Sequence, residues 1–399
     1  MSEYTLEANV IGVRLRQARL AAGLTLDALV DRLDRPITKQ ALSKYERGLS
    51  QPPASRLNDL ARALGVRVSF LLSEAPAHVH WRGFRKDASL PLADMERLTA
   101  RAEKRLEDEY SLRELFAIGA AHDVPVDSGF PDIDGADAAA EQLRRDWALG
   151  DGPIDGLVET VEGHGAIVIS WSEDDDRFDG ISGITDDGRP VIVVNAMRAA
   201  DRIRFDVAHE LGHLVMRPAP EEEQNELIAH RFAAALLVPK EAVLRELGSH
   251  RSALSFPELG LLKQRWGLSM QAWVHRAVDF GVIDRREYQA TYNEFRSRHW
   301  NKVEPFSFDR TEEPVLLRRL LWRAITERAL TSQQAQAVMP ELEQKREARL
   351  FLKTPAFRDL AQMGAEERRA ALAFIGGPSV DLEELAEWDA TNDDLVQSE

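Results

Sequence analysis

The run from Phe205 to Val215, Phe-Asp-Val-Ala-His-Glu-Leu-Gly-His-Leu-Val, decides how this chain reads. Its core is His209-Glu210-x-x-His213. Two histidines four apart on a helix lie one above the other, so both imidazoles reach a single metal ion. Glu210 stands beside them, placed to take a proton from a water that the ion activates. The bland alternative is a helix with two surface histidines. Against it, Val207, Ala208, Leu211, Leu214 and Val215 surround the motif with apolar groups, which suits a buried helix. Gly212 is a poor interior helix residue unless close packing requires it.

A third ligand is sought on the next helix, expected from Glu222 to Leu237 and ended by Val238-Pro239. Glu226, Ala229, His230 and Ala233 share one face there. Glu226 completes a His-His-Glu set and leaves a fourth position open for water. His230, one turn on, is placed to contact the metal, to bond the water or to stabilise a developing oxyanion. The reading takes His209, His213 and Glu226 as metal ligands, with Glu210 and His230 catalytic. Glu221, Glu222 and Glu223 read as solvated acids at a helix start.

Composition narrows the chemistry further. The chain has 399 residues, ten histidines and no cysteine. That excludes a disulfide framework, a cysteine-liganded zinc finger, an iron–sulfur cluster and a thiol nucleophile. No apolar run approaches the roughly 20 residues that span a bilayer. The start, MSEYTLEANV, has no basic n-region or apolar h-region, so a cytoplasmic protein is expected. The formal net charge is −16, which by itself speaks against nucleic acid. The charge is uneven, however: residues 1–73 hold 11 Lys/Arg against 7 acids. A small basic module joined to an acidic body is expected.

That module reads as five short helices. Ile11, Leu15, Ala18, Leu26, Leu29, Val30 and Leu33 recur at helical spacing. Gly23 breaks the first run and Thr25 caps the second. Pro36 breaks that one, and Thr38 caps a third helix, Lys39 to Glu46, which ends at Gly48. A fourth runs from Ser55 to Gly65 and a fifth starts at Val66. The third helix is short and basic on its polar side, with Thr38, Lys39, Gln40, Ser43 and Lys44 suited to a major groove. Leu15-Arg16-x-Ala18-Arg19, Gly23-Leu24-Thr25 and Leu42-Ser43-Lys44-Tyr45-Glu46-Arg47-Gly48 resemble the XRE-type, phage-repressor-like helix-turn-helix. The turn from Asp34 to Ile37 is about two residues longer than the commonest form. The resemblance implies binding to a double-stranded DNA operator, as a homodimer reading two half-sites.

From Ala136 onward, the expected order is helix, helix, a buried strand at 166–170, a very acidic loop from Glu173 to Asp187, a strand at 190–195 and the His209 helix. The strand ending at Asn195 is either the sheet edge beside the cleft, where a peptide substrate adds and Asn195 contacts it, or an ordinary core strand. Three pieces carry a second resemblance: Val191-Ile-Val-Val-Asn195, Arg204-Phe205-x-x-Ala208-His209-Glu210-Leu211-Gly212-His213 and Glu226-x-x-Ala229-His230-x-Phe232-Ala233-Ala234-x-Leu236-Leu237-x-Pro239. They resemble the ImmA/IrrE family of metallopeptidases over about residues 136–300. Asp206 stands where Ser or Thr is usual in that family, and His230 where Asn is common.

The resemblance implies a metal-dependent endopeptidase that uses one divalent ion, Zn²⁺ first, with Mn²⁺ or Fe²⁺ compatible with the ligands. It implies a protein substrate, such as a repressor, a partner or the chain itself, in a stress, phage or mobile-element response. The competing reading is a non-proteolytic repressor or antitoxin-like regulator, whose peptidase fold is a sensor or protein-binding module. The expected architecture is multidomain and mainly α. It comprises a helix-turn-helix domain (8–75), a helical linker region (76–135), an α+β zincin-like domain with a small sheet (136–300), and a helical C-terminal region with an acidic tail (301–399).

Overall fold

The computed structural model describes residues 3–73, 78–86, 91–119, 121–171, 178–300, 303–339 and 342. Five helices open the chain: α1 (Glu3–Ala21), α2 (Leu26–Asp31), α3 (Lys39–Glu46), α4 (Ala54–Leu64) and α5 (Val68–Leu72). The local chemistry sets their ends. Thr25 Oγ1 accepts from Ala28 N, and Thr38 Oγ1 from Ala41 N, each at 3.1 Å. These bonds satisfy donors that a helix start leaves without intrahelical partners. Gly65 closes α4 at φ 68°, a left-handed conformation that a side chain would strain. Each helix plants one fully buried leucine in a common core: Leu15, Leu29, Leu42, Leu60 and Leu71. Arg19 ties α1 to α3 through a two-toothed pair with Glu46, at 2.6 and 2.9 Å.

The segment after this domain departs from the expected helical linker. Residues Val79–Lys86 form a strand, β1, and only then comes one long helix, α6 (Leu92–Leu115). Apolar and polar residues alternate only from Val79 to Arg82, too short a run to mark a strand alone; pairing with a distant partner makes it one. α6 is used on two faces. Toward α1, Arg14 pairs with the buried Glu107, and Gln17 Nε2 donates to the same carboxylate at 3.0 Å. On its other face, Leu98, Ala102 and Leu106 pack on the sheet.

The sheet follows α7 (Ile133–Asp146) and α8 (Leu157–Gly163). Its other strands are β2 (Ile167–Trp171), β3 (Phe178–Thr185) and β4 (Pro190–Asn195). The strand order is β1-β3-β4-β2, with β4 and β2 parallel and the other pairs antiparallel. β3 lies within the stretch expected as an acidic loop. β4 is an inner strand, so of the two readings for Asn195 the core strand holds and the peptide-binding edge does not. Alternation sorts the two faces. Ile167, Ile169, Trp171, Val191 and Val193 face α6, while Val168, Ile192 and Val194 face α9 (Ala200–Val215).

Beyond α9 run α10 (Glu222–Leu237), α11 (Lys240–Leu247), α12 (Phe256–Trp266), α13 (Met270–Asp279), α14 (Arg285–Ser297), α15 (Leu316–Thr326) and α16 (Ser332–Val338). The chain divides into two compact units between Leu317 and Arg318. Three glutamates tie residues 304–316 to the helices before them. Glu304 accepts from the backbone N–H groups of Met270 and Gln271 at the start of α13, at 2.8 and 2.9 Å. Glu312 accepts from those of Leu157 and Val158 at the start of α8, at 3.3 and 3.0 Å, and pairs with Arg204 of α9. In return, Glu162 of α8 accepts from Val315 and Leu316, at 2.9 and 3.1 Å. Carboxylates at helix starts answer both the free N–H groups and the helix dipole. The second unit holds the rest of α15 and α16, whose start carries a reciprocal Thr331–Gln334 capping box. The expected helical tail at 355–375 and the acidic end at 381–399 lie outside the described residues.

Candidate metal centre and nucleic-acid interface

α9 is buried on almost every side, and α10 crosses close to it. Gly212 permits that approach: a Cβ there would stand 3.1 Å from Phe232 Cδ1 and 3.2 Å from Cα and O of Ala229. The crossing sets three donors against one another. His209 Nε2 and His213 Nε2 lie 3.0 Å apart. The Glu226 carboxylate is 3.3 Å from the first and 3.2 Å from the second. His230 belongs to the same cluster: its donor atom and those of His209 and Glu226 all lie within 4.8 Å of one another. Its ring lies 4.6 Å from that of His209 and 5.5 Å from Phe205.

These spacings fit a metal centre. Donors at about 2.0–2.1 Å from a tetrahedral zinc ion are separated by roughly 3.3 Å, the scale seen for His209, His213 and Glu226. Charge agrees with geometry. Burial alone would push the Glu226 carboxyl up. Its hydrogen bonds to His209 and His213, with their charges, outweigh burial and hold it well below the usual carboxylate range.

Glu210 is fully buried on the sheet side of α9. Ser182 of β3 donates from Oγ to Glu210 Oε2 at 2.8 Å, while Glu210 Oε1 is buried with no hydrogen-bond partner among the described residues. Burial pushes this carboxyl up to about 7, against the lowering effects of His213 and of the Ser182 bond. Gly180 makes room, since a Cβ there would touch Glu210 Cγ and Oε1 at 3.0 Å. Sequence reasoning missed Ser182 and Gly180. Their signal was the run Phe178-Asp-Gly-Ile-Ser-Gly-Ile-Thr185, whose isoleucines and threonine favour a strand despite two glycines and flanking acids.

Asn195 does not join the cluster by any contact described. It is 2% exposed. Its Nδ2 donates to Phe178 O at 2.9 Å, and its Oδ1 accepts from Met197 N at 2.9 Å. Those bonds fasten the end of β4 to β3. A cavity of about 430 Å³ opens beside His213 and Glu226, with Arg82 of β1, Arg217 and Asn225 also in its walls.

In the N-terminal domain, Thr38, Lys39, Gln40 and Lys44 are exposed and Ser43 is half-buried. Leu42 is the inward anchor of α3. Thr38 Oγ1 is engaged as the cap of α3, and Lys39 Nζ lies 2.6 Å from Asp27 Oδ2 in an exposed pair. Exposed pairs of this kind contribute about 0–1 kcal/mol and yield readily to a phosphate. α3 sits tightly on α1, because a Cβ on Gly12 would stand 2.5 Å from Tyr45 O.

Comparison with known proteins follows this division. Residues 15–71 match the helix-turn-helix family, and residues 171–278 match the M78 peptidase family, IrrE N-terminal-like domain. The chain is 38% identical over 66 residues to an HTH-type transcriptional regulator of Sinorhizobium medicae, covering 16% of this chain and 46% of that one. It is 39% identical over 64 residues to a transcriptional regulator in the ATPase CF(0) region of Rhodospirillum rubrum, covering 16% and 57%. The chain thus spans about half the length of the curated relatives it matches. It carries an XRE-type helix-turn-helix domain followed by a domain of a metallopeptidase family. Among the described residues, no helix is long and apolar enough to cross a membrane.

Proposed function

We propose that the chain is a DNA-binding transcriptional regulator carrying a metal-dependent endopeptidase that hydrolyses a peptide bond in a protein. The observation that carries this reading is the trio of donors from His209, His213 and Glu226, 3.0–3.3 Å apart, beside a buried Glu210. These three residues would hold one divalent ion, zinc in the first place, since two imidazoles and a carboxylate suit it. When bound, such an ion supplies Lewis acidity, which acidifies a water and polarises a carbonyl.

The chain's own groups do the rest. With its carboxyl near neutrality, Glu210 accepts a proton from the attacking water and returns it to the leaving amine. Ser182 fixes Oε2, which leaves Oε1 as the oxygen that carries the proton. His230, beside His209 and Glu226, is placed to donate a hydrogen bond to the oxyanion as it forms. At the other end, α3 enters the major groove, with Gln40 and Lys39 at base edges and Ser43 and Lys44 at phosphates.

The test is Glu210→Gln in the full chain, with zinc content and cleavage of the disordered protein casein measured together. Both proteins are expected to bind one zinc, with cleavage by the wild type only. Equal cleavage by both, or no zinc in either, refutes the reading.

A further inference from the structure

Peptides held in extended form commonly bind by adding a strand to a sheet edge, where main-chain hydrogen bonds hold them. If the metal centre cuts a protein, as proposed above, the edge beside it matters. The sheet has two outer strands, β1 and β2. β2 is separated from β3 by β4. β3 is the strand that touches the site, through Gly180 and Ser182 against Glu210. Its inner side pairs with β4, and its outer side is already taken by β1.

The alignment of β1 is specific. It runs antiparallel to β3, with Arg82 opposite Ser182, Phe84 opposite Ile181 and Lys86 opposite Phe178. Arg82 shares the walls of the cavity that His213 and Glu226 line. From His80 to Arg82 the ladder is regular. It is then irregular twice, between Arg82 and Phe84 and between Phe84 and Lys86, alongside the part of β3 that holds Gly180. Irregular pairing lowers the free energy needed to peel a strand away. β1 also follows the DNA-binding helices directly, since α5 ends at Leu72.

We infer that β1 is an internal stand-in for substrate: it fills, in cis, the edge of β3 on which an extended polypeptide must lie to reach the metal centre. A substrate therefore enters by strand exchange, and the chain with β1 seated is the closed form. The ligand class is an extended, unfolded polypeptide segment, recognised chiefly through its backbone. This inference rests on the proteolytic reading for its consequence, but the exchange itself is measurable without catalysis.

The chain has no cysteine, so one reversible lock can be introduced cleanly. His80 and Ile184 face each other across the β1–β3 ladder and belong to neither the metal centre nor α3. Facing residues of antiparallel strands have Cα atoms about 4.5–5.5 Å apart, within the range a disulfide bridges. The full-length double variant His80→Cys/Ile184→Cys, loaded with zinc, is mixed at up to millimolar concentration with a labelled peptide of residues 78–87. Oxidised and reduced forms are compared by fluorescence anisotropy. The reduced form is expected to take up the peptide, and the oxidised form to bind at least about tenfold more weakly, with casein cleavage changing in parallel.

Equal peptide binding by the two forms, or binding by neither, overturns the inference. Redox-dependent binding in a zinc-loaded chain that cleaves nothing would sink the peptidase reading and leave the exchange standing. Hydrogen exchange in the unmodified chain is the second measurement. Amides of β1 should exchange faster than those of β4, and faster still when casein is added; β1 protected as strongly as β4 contradicts the account.

Discussion

Replacing Gly212 with alanine tests whether the closeness of α9 and α10 sets the donor geometry. The new Cβ would lie 3.1–3.2 Å from Phe232 Cδ1 and from Cα and O of Ala229. Carbon contacts are comfortable from about 3.5 Å, so α10 must retreat by about 0.3 Å. Neither neighbour can yield alone, because Phe232 and Ala229 are 0% and 1% exposed and two of the three atoms are backbone. The strain costs about 1–3 kcal/mol, and alanine returns about 1 kcal/mol of helix propensity. The net loss of stability is therefore about 0–2 kcal/mol, too small to be diagnostic.

Zinc affinity is the sharper readout. Metal–donor distances tolerate about 0.2 Å, and Glu226 rides on the same helix as Ala229. The retreat should weaken zinc binding about tenfold, or about 1.4 kcal/mol. The assay is competition against a chromophoric chelator at neutral pH, using the full chain, with urea unfolding of the metal-free proteins alongside. Zinc affinity within about twofold of wild type would refute the reasoning, since the helix crossing would then not control the site.

The remaining predictions touch other parts of the molecule. Burial pushes Glu162 up to about 7 from an ordinary value of 4.5, against the hydrogen bonds from Val315 and Leu316. The folded chain therefore binds more protons than the unfolded one between those pH values, and stability falls as pH rises through them, by about 3 kcal/mol in all. Glu162→Gln keeps an acceptor for Val315 and Leu316, so it should flatten that slope and raise the urea midpoint at pH 8; an unchanged pH dependence contradicts this. Gly12→Ala drives a Cβ into the carbonyls of Tyr45 and Glu46, at 2.5 and 2.8 Å. It should lower the melting temperature of the N-terminal domain and weaken duplex DNA binding, and a neutral outcome in both would show that α1 and α3 are not held as described. Lys44→Ala should weaken binding to duplex DNA and reduce the slope of log K against log salt by about one, while a slope equal to wild type removes Lys44 from the phosphate contacts.

Much of this was legible because it is local. Thr25 and Thr38 announce their helices by the chemistry of a helix start, and Gly65 announces an end. The His209–His213 spacing encodes a shared helix face, and Glu226 is found from the same periodicity. Gly212 stood out as a poor helix residue, and the atoms of Ala229 and Phe232 show why it is there. What was not legible depends on pairing between distant segments. β3 hides behind two glycines and flanking acids, and β1 alternates only from Val79 to Arg82 before Gly83 breaks the pattern. The strand order decides which edge faces the site, and no single strand encodes it, so the sequence around Asn195 suits a peptide-binding edge and a core strand equally. The bonds of Asn195 to Phe178 and Met197 give it a fastening role. Glu162, Glu304 and Glu312 look like ordinary surface acids in sequence, yet each caps a helix far along the chain.

The central claim is that His209, His213 and Glu226 hold a metal ion with which Glu210 performs proteolysis. Its most direct test is a comparison of newly formed protein N-termini, by mass spectrometry, in cells producing either the wild-type chain or Glu210→Gln at equal abundance. At least one N-terminus should appear only with the wild type, with the same zinc content in both purified proteins. Identical sets of N-termini from the two, in cells where the wild-type chain is loaded with metal and bound to DNA, would contradict it.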